Sequence, residues 1–362
     1  MPKICCTCCG AEYPESGLPH VCIKCGGIFD YDRPFQIQRS DLEKHDSTLW
    51  QYQKSFGPTY DLPPISLGEG NTPLLLRSFA GEQLAFKMES CNPTGSYKDR
   101  GTTVLMTEIA SRGIPFVVED SSGNAGASLA TYCSWAGIDC KIFVPESASG
   151  NKLNQISRSN AYVQMIPGPR NNATIAVEEA VRNLPAIYAS HALQPFLLPG
   201  IATIAYELFS TFGQAPGTVI IPVGHGGLFL GIMRGFDALY QQKIISKMPL
   251  FIGVQAKGYH SFVSHFDDQK NNDTKNSIDS IAEGVRISIP SRYQQIIRMC
   301  ETIDCEFVAC NNDELYTAIN ECWKMGLYVE ITSALVWAAF RKNNRKYPGP
   351  IVFIMTGSGL KY

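Results

Sequence analysis

The chain has 362 residues, a net charge of −2, 44% hydrophobic and 18% charged residues. That is enough for two domains, or for one large domain with an insertion, and it gives no overall basic field for nucleic acid or for an anionic membrane. Thirteen cysteines are present, but residues 1–30 lack a signal-peptide pattern, so a reducing cytoplasm and metal binding are expected rather than a disulfide framework.

The first thirty residues carry Cys5-Cys6-Thr7-Cys8-Cys9-Gly10 and Cys22-Ile23-Lys24-Cys25-Gly26. Two Cys-x-x-Cys pairs let four thiolates meet one ion, and four thiolates suit tetrahedral zinc in a closed structural site. The first pair is either Cys5/Cys8 or Cys6/Cys9. Cys6 and Cys9 are preferred, because only Cys9 is followed by Gly as Cys25 is, so the expected ligands are Cys6, Cys9, Cys22 and Cys25. Only Lys3 and Lys24 are basic here, which favours a structural ribbon over a nucleic-acid contact.

Residues 31–66 are polar and aromatic, with one helix expected around Leu42–Lys54. Leu67–Leu74 reads as a turn-rich loop and Leu84–Glu89 as a short strand. Asn92-Pro93-Thr94-Gly95 is turn chemistry. From Asp99 to Arg112 small and apolar residues recur at helical spacing, which sets Lys98 at the first helical turn. Free N–H groups and positive potential there favour a neutral amine, the form that attacks a carbonyl. Pro115–Glu119 reads as a strand, Asp120–Ser128 as a Ser/Gly/Asn loop opening a helix that runs to Trp135, and Asp139–Val144 as the next strand. The alternation continues with a helix at Gly150–Ser159, a strand at Tyr162–Ile166 and a helix at Ala173–Leu184. Such a rhythm predicts a parallel sheet covered on both faces.

Leu198-Pro199-Gly200 leads to a helix over Thr203–Phe212, and Thr218–Val223 has the character of a buried strand. Gly224-His225-Gly226-Gly227 then enters an apolar helix, Leu228–Tyr240. Three glycines in four residues allow backbone N–H groups to close around a phosphate. No Walker-type Lys-Ser/Thr follows, and the Ser/Gly/Asn loop at Asp120–Ser128 lacks dinucleotide spacing. Glycines, Pro222 and His225 interrupt Thr218–Met233, which is also too short to span a bilayer. Phe251–Gln255 is a strand and Ser264–Ser277 a polar loop. Helices are expected at Asn312–Met325 and Ser333–Lys342, with a short strand at Leu327–Glu330. A last strand, Pro350–Met355, ends in Thr356-Gly357-Ser358-Gly359. Ligands bind beyond the carboxyl ends of strands in open α/β sheets, so both glycine-bearing loops and Thr356 are candidates for one crevice.

A Schiff-base lysine, a glycine cradle of phosphate size and a hydroxyl at a strand end together suggest pyridoxal phosphate. A neutral hydroxyl at the pyridine nitrogen suits elimination and replacement at Cβ or Cγ. With these motifs in hand, the sequence resembles the fold-type II pyridoxal-phosphate enzymes, and most closely the threonine synthase family. Asn92–Arg100 looks like that family's lysine motif, with Tyr97 where Phe is usual. Ser121–Asn124 looks like its loop to the cofactor's ring hydroxyl, Gly224–Leu228 like its phosphate loop, and Thr356–Lys361 like its ending. Leu67–Pro73, Glu330 and the cysteine ribbon also fit. There are two departures: His225 stands where many members have Asn, and Ser122-Gly123-Asn124-Ala125 also suits dehydratases.

The resemblance implies an α/β, tryptophan synthase β-like fold with two domains that contain parallel sheets. A zinc-ribbon-like segment would span residues 1–30, a large cofactor domain 31–105 and 196–362, and a smaller α/β domain 106–195. It implies Lys98 as the covalent and catalytic residue. Asn124, Gly224, His225, Gly226, Gly227, Leu228 and Thr356 would be further cofactor contacts, and structural zinc would sit on the ribbon. Lys87, Ser96, Arg100, Ser122 and Arg286 are the substrate candidates. Three of these are cations, as a phosphorylated amino acid such as O-phosphohomoserine requires. The implied partner is a small amino-acid substrate, with neither nucleic acid nor membrane, in a cytoplasmic homodimer. A serine/threonine dehydratase or a cysteate-synthase-like β-replacement enzyme is the alternative.

Overall fold

A computed structural model describes residues 2–43, 47–58, 60–148, 150–266, 279–343 and 346–361. Among these the strands are β1 (Ile4–Cys6), β2 (Phe29–Tyr31), β3 (Leu74–Phe79), β4 (Glu82–Met88), β5 (Phe116–Glu119) and β6 (Asp139–Pro145). They continue with β7 (Tyr162–Ile166), β8 (Ile187–Tyr188), β9 (Thr218–Pro222), β10 (Leu250–Ala256), β11 (Cys305–Cys310) and β12 (Ile351–Met355). The chain divides into two compact units. Met1–Gly70, Asn92–Thr203 and Lys361–Tyr362 form the first, and Asn71–Cys91 with Ile204–Leu360 the second. No described helix is long and apolar enough to cross a membrane.

The first unit holds a parallel sheet of order β7-β6-β5-β8. Alternate residues of its strands feed two cores, as the period of two requires. Val117, Cys140, Ile142 and Val144 join Leu105, Ile109, Leu129 and Tyr132 of the helices Lys98–Ser111 and Asn124–Ala136. Val118, Phe143 and Tyr188 face the other way, onto Ala173 and Val177 of the helix Arg170–Asn183. Both faces are therefore covered, in line with the βα rhythm. The amino-terminal residues add a two-stranded antiparallel ribbon, β1 with β2.

The second unit holds a six-stranded sheet of order β11-β10-β9-β12-β4-β3, parallel apart from β3, which pairs antiparallel with β4. Trp337 is its largest buried side chain. It packs on Phe86 and Phe353, and its indole N–H donates to Glu321 Oε2 at 2.6 Å.

Most elements lie where the periodicity sets them, and the differences have local causes. The helix over Thr203–Phe212 begins earlier, at Leu197. Pro199 falls in the first turn, where its missing N–H has no partner to lose. Gly200 lets that turn press on the lysine helix, since a Cβ there would lie 1.8 Å from the Arg100 carbonyl oxygen. In place of one helix over Leu42–Lys54 there is a short helix Arg39–Leu42 and a 3-10 helix Leu49–Ser55, with 44–46 outside the described residues. Leu327–Glu330 makes only a bridge, Val329 to Ser358, and not a strand. Ser264–Phe266 belong to the helix Ser261–Phe266, and the rest of the expected polar loop lies outside the described residues.

Candidate cofactor and substrate site

Lys98 opens the helix Lys98–Ser111 and is half-buried, with its Nζ 5.0 Å from the centroid of the Tyr97 ring. The turn before it is closed by Gly95 N–H donating to Asn92 O at 2.8 Å, and Gly95 takes φ +81°. Asp99 then fastens this turn to the helix. Its carboxylate accepts from Thr94 N–H and Thr94 Oγ1, each at 2.6 Å, and from Ser128 Oγ at 2.6 Å. Burial pushes the Asp99 carboxyl up to about 6 despite these donors. Ser96 is fully buried, and its Oγ has no hydrogen-bond partner among the described residues.

β5 runs directly into the second expected loop. Gly123 N–H donates to Ser121 Oγ at 3.2 Å, and Asn124 is the first residue of its helix. Asn124 Oδ1 accepts from Lys361 Nζ at 3.2 Å, while Ser122 is half-buried. Gly126 permits the tight entry, because a Cβ there would meet Ser121 O at 1.8 Å.

In the second unit the order of the sheet explains where the remaining motifs fall. From β9 the chain adds β10 and β11 on one side, and β12 later takes the other side. That reversal is a topological switch point, the usual place for a ligand in an open α/β sheet. Gly224–Gly227 follows β9 and Thr356 follows β12, so both motifs leave the carboxyl ends flanking the switch. Gly226 caps the helix Gly227–Gln241 with φ +93°, and a Cβ on it would lie 2.7 Å from Ile296 Cδ1. A helix N-terminus reached through glycine is a ready anion site. His225 is half-buried, its Nδ1 3.4 Å from Ser291 Oγ, and Leu228 is in the core. Thr356 is buried and donates to Glu330 Oε1 at 2.9 Å, with Ser333 Oγ 3.0 Å away. Each unit offers donors of the kind a phosphorylated aldehyde ring takes: an amine and an amide in the first, a glycine-capped helix N-terminus and a strand-end hydroxyl in the second.

The three cationic substrate candidates sit in different settings. Lys87, on β4, is 3% exposed and pairs with Glu207 Oε2 at 2.5 Å while donating to Thr72 O at 2.6 Å. Arg100 is fully buried and donates from Nη1 to Thr203 Oγ1 at 2.9 Å. Arg286 is half-buried and donates from Nε to Ser280 O at 2.5 Å.

On the ribbon, the sulfurs of Cys6, Cys9, Cys22 and Cys25 lie within 4.8 Å of one another. Cys6 and Cys25 are 3.4 Å apart, and Cys9 and Cys22 3.7 Å. Zn–S bonds of about 2.3 Å set tetrahedral sulfurs about 3.8 Å apart, so the set fits zinc. Gly10 and Gly26, at φ +72° and +73°, turn the chain after each pair. Burial pushes the Cys6 thiol up, but the backbone N–H groups of Cys9 and Cys8 and the thiols of Cys25 and Cys9 outweigh it and bring it to about 6.

The sequence reading missed a buried cluster in the first unit. Glu119, the last residue of β5, accepts from the His191 backbone N–H at 3.1 Å and lies 2.9 Å from His191 Nδ1. Asp120 accepts from Tyr188 OH at 2.8 Å, from Arg170 Nη1 at 3.2 Å and from Thr174 Oγ1. The only sequence signal was two adjacent acids ending a strand just before the Ser/Gly/Asn loop.

Comparison with known proteins adds three findings. The family described as "Pyridoxal-phosphate dependent enzyme" matches residues 65–357. Threonine synthase of Methanocaldococcus jannaschii is 31% identical, over 98% of this chain and 92% of that one. Threonine synthase of Mycobacterium tuberculosis is 28% identical, over 83% and 84%. Among solved structures, a fungal L-serine ammonia-lyase from Rhizomucor miehei superposes with a TM-score of 0.68 at 19% identity, over 79% of this chain and 93% of that one, a likeness of fold.

Proposed function

The chain belongs to the pyridoxal-phosphate dependent enzyme family, and on that premise we propose that it acts as a threonine-synthase-like lyase. It would convert O-phosphohomoserine and water to threonine and phosphate. The observation that carries this reading is the 31% identity to a threonine synthase over 98% of the chain, ribbon included. When bound, pyridoxal phosphate supplies an electron sink for bonds broken at the amino acid's Cα.

The chain's own residues do the rest. Lys98 would hold the cofactor through Nζ and would move protons at the substrate's Cα and Cβ. Asn124 would bind the ring hydroxyl, Gly224–Leu228 would bind the phosphate with backbone N–H groups, and Thr356 would serve the ring nitrogen. Ser96 Oγ, buried without a partner among the described residues, and Ser122 bind the substrate. Of the cations, Arg286 remains the candidate for its phosphate, because Lys87 is engaged by Glu207 and Arg100 is fully buried against Thr203. The ribbon thiols would hold a structural zinc ion, and the enzyme would work as a homodimer.

Two departures favour a second reading, a serine/threonine dehydratase or a β-replacement enzyme: Ala125 after Asn124, and His225 in the glycine loop. Purified protein offered O-phosphohomoserine, serine, threonine and O-phosphoserine, with phosphate, 2-oxo acid and threonine measured, separates the two. Threonine and phosphate in equal amounts support the synthase. Release of 2-oxo acid without threonine overturns it in favour of the dehydratase. Absorbance of bound pyridoxal phosphate that disappears in Lys98→Ala supports the cofactor assignment, and its absence from cofactor-supplemented wild type overturns it.

A further inference from the structure

The sheet of the first unit has its own switch point. From β5 the chain adds β6 and then β7 on one side, and β8 returns to the other side of β5. The crevice outside the carboxyl ends of β5 and β8 is therefore where the topology favours a ligand. Glu119 ends β5, and His191 lies three residues beyond the end of β8. The two are joined at that crevice by the 2.9 Å contact of a carboxyl oxygen with Nδ1 and by the His191 backbone N–H on the other carboxyl oxygen. Glu119 is 1% exposed.

We propose that His191 and Glu119 form the proton-transfer pair for the substrate's side chain, with His191 touching the oxygen that leaves or adds there and Glu119 acting through the ring. The inference rests on the amino-acid substrate of the preceding subsection. When the C–O bond breaks, its electron pair stays on the oxygen, which takes the proton from His191 Nε2. The Glu119 carboxyl proton moves to Nδ1 and leaves a carboxylate. The electron pair freed when Lys98 takes the neighbouring C–H proton completes the carbon–carbon double bond. Addition of water reverses the pair: oxygen bonds to carbon, its proton goes to Nε2, the Nδ1 proton returns to Glu119, and the electron pair of the carbon–carbon double bond takes the proton back from Lys98. Over elimination and addition the pair is restored, and after elimination alone solvent returns the proton.

The surrounding charges keep the pair in its proton-sharing, neutral form. Burial and the adjacent Asp120 charge push the Glu119 carboxyl well above the usual carboxylate range. Burial and the Lys98 ammonium drive the His191 imidazole down to about 3. The facing groups are Lys98 from its helix, Asp120 just beyond β5, Arg170 from its helix and Tyr188 from β8. Burial works against the Asp120 charge, but Arg170 holds that carboxyl well below its usual range, so Asp120 stays ionised and a proton is retained at Glu119.

The bland alternative is that Glu119 merely stitches the loops after β5 and β8, and the leaving group tells the two apart. Chloride departs without a proton, whereas hydroxide needs one. His191→Asn and Glu119→Gln are each expected to lower turnover of L-serine roughly 100-fold, within the usual range for a lost acid–base group. With β-chloro-L-alanine the loss is expected to stay within about threefold, while the absorbance of cofactor on Lys98 is unchanged. Equal loss on both substrates, or none on either, overturns the proposal. Absence of cofactor absorbance from the wild type itself would instead fail the cofactor reading. A readout free of cofactor and turnover is the NMR titration of the His191 ring in cofactor-free protein. Lys98→Ala should raise its midpoint, and an unchanged midpoint separates the pair from the reactive lysine and overturns the assignment.

Discussion

Replacing Lys87 by methionine removes one member of a buried ion pair and keeps most of the apolar stem. The Lys87 side chain is 3% exposed and that of Glu207 5%. Glu207 would keep the Asn71 N–H at 2.9 Å as a donor but lose the ammonium on its other oxygen. An uncompensated buried charge of this kind costs about 3–5 kcal/mol, while replacing both partners with apolar groups of similar volume is often near neutral. Lys87→Met should therefore lower the unfolding free energy by several kcal/mol in a urea titration, and Lys87→Met combined with Glu207→Leu should recover most of it. If Lys87 serves the substrate's phosphate instead, Lys87→Met would leave the urea midpoint in place and raise KM for O-phosphohomoserine alone. A loss below about 1 kcal/mol would refute the structural assignment, since pairs worth that little are surface pairs.

Gly357→Ala would set a Cβ 2.5 Å from the Glu330 carboxyl carbon and so displace the acceptor of Thr356; cofactor affinity is expected to fall about tenfold, roughly 1.4 kcal/mol, in a spectroscopic titration. Metal analysis should find one zinc per chain, lost in Cys22→Ser; full zinc content in that variant would exclude the four-thiol site. Asp99 titrates near 6 folded, against an unfolded value of 3.8. Between those limits the folded protein holds a proton that the unfolded chain has released, so this group's contribution to stability falls as pH rises, by at most about 3 kcal/mol. Asp99→Asn should flatten that part of the stability–pH curve, although the lost acceptor for Thr94 and Ser128 lowers the curve as a whole.

Elements that bury a face were legible. Tyr162–Ile166 was read residue for residue and Lys98–Ser111 to within one, because helix and strand periods follow burial. β3 escaped, being an antiparallel edge strand with four of its six residues exposed and no clean alternation. β8 has two residues, too few for any period. The cysteine set was legible because each ligand pair carries its own turning glycine. The cations were a different matter. Sequence marks a charge but not its partner, and the partner of Lys87 stands 120 residues away. Glu119 and His191 are 72 residues apart, and only the strand order of the sheet brings them together.

That strand order also gives the ribbon a physical role. The segment after β8 is short of regular structure, yet it has to present His191 in one orientation. Ribbon residues brace it from within the same unit. Tyr13 packs edge-on against Phe196 at 5.2 Å, and His20 against Tyr188 at 4.9 Å. Gln194 Nε2 donates to Leu18 O at 3.2 Å and to Tyr188 O at 3.0 Å. Arg112, at the end of the lysine helix, donates from Nη1 to the carbonyls of Pro14, Glu15 and Gly17, the last at 2.7 Å. Ribbon, lysine helix and the His191 segment thus share one set of contacts. A thirty-residue ribbon has too little core to hold its shape alone, so four thiolates closing on one ion are the natural means of keeping that brace rigid.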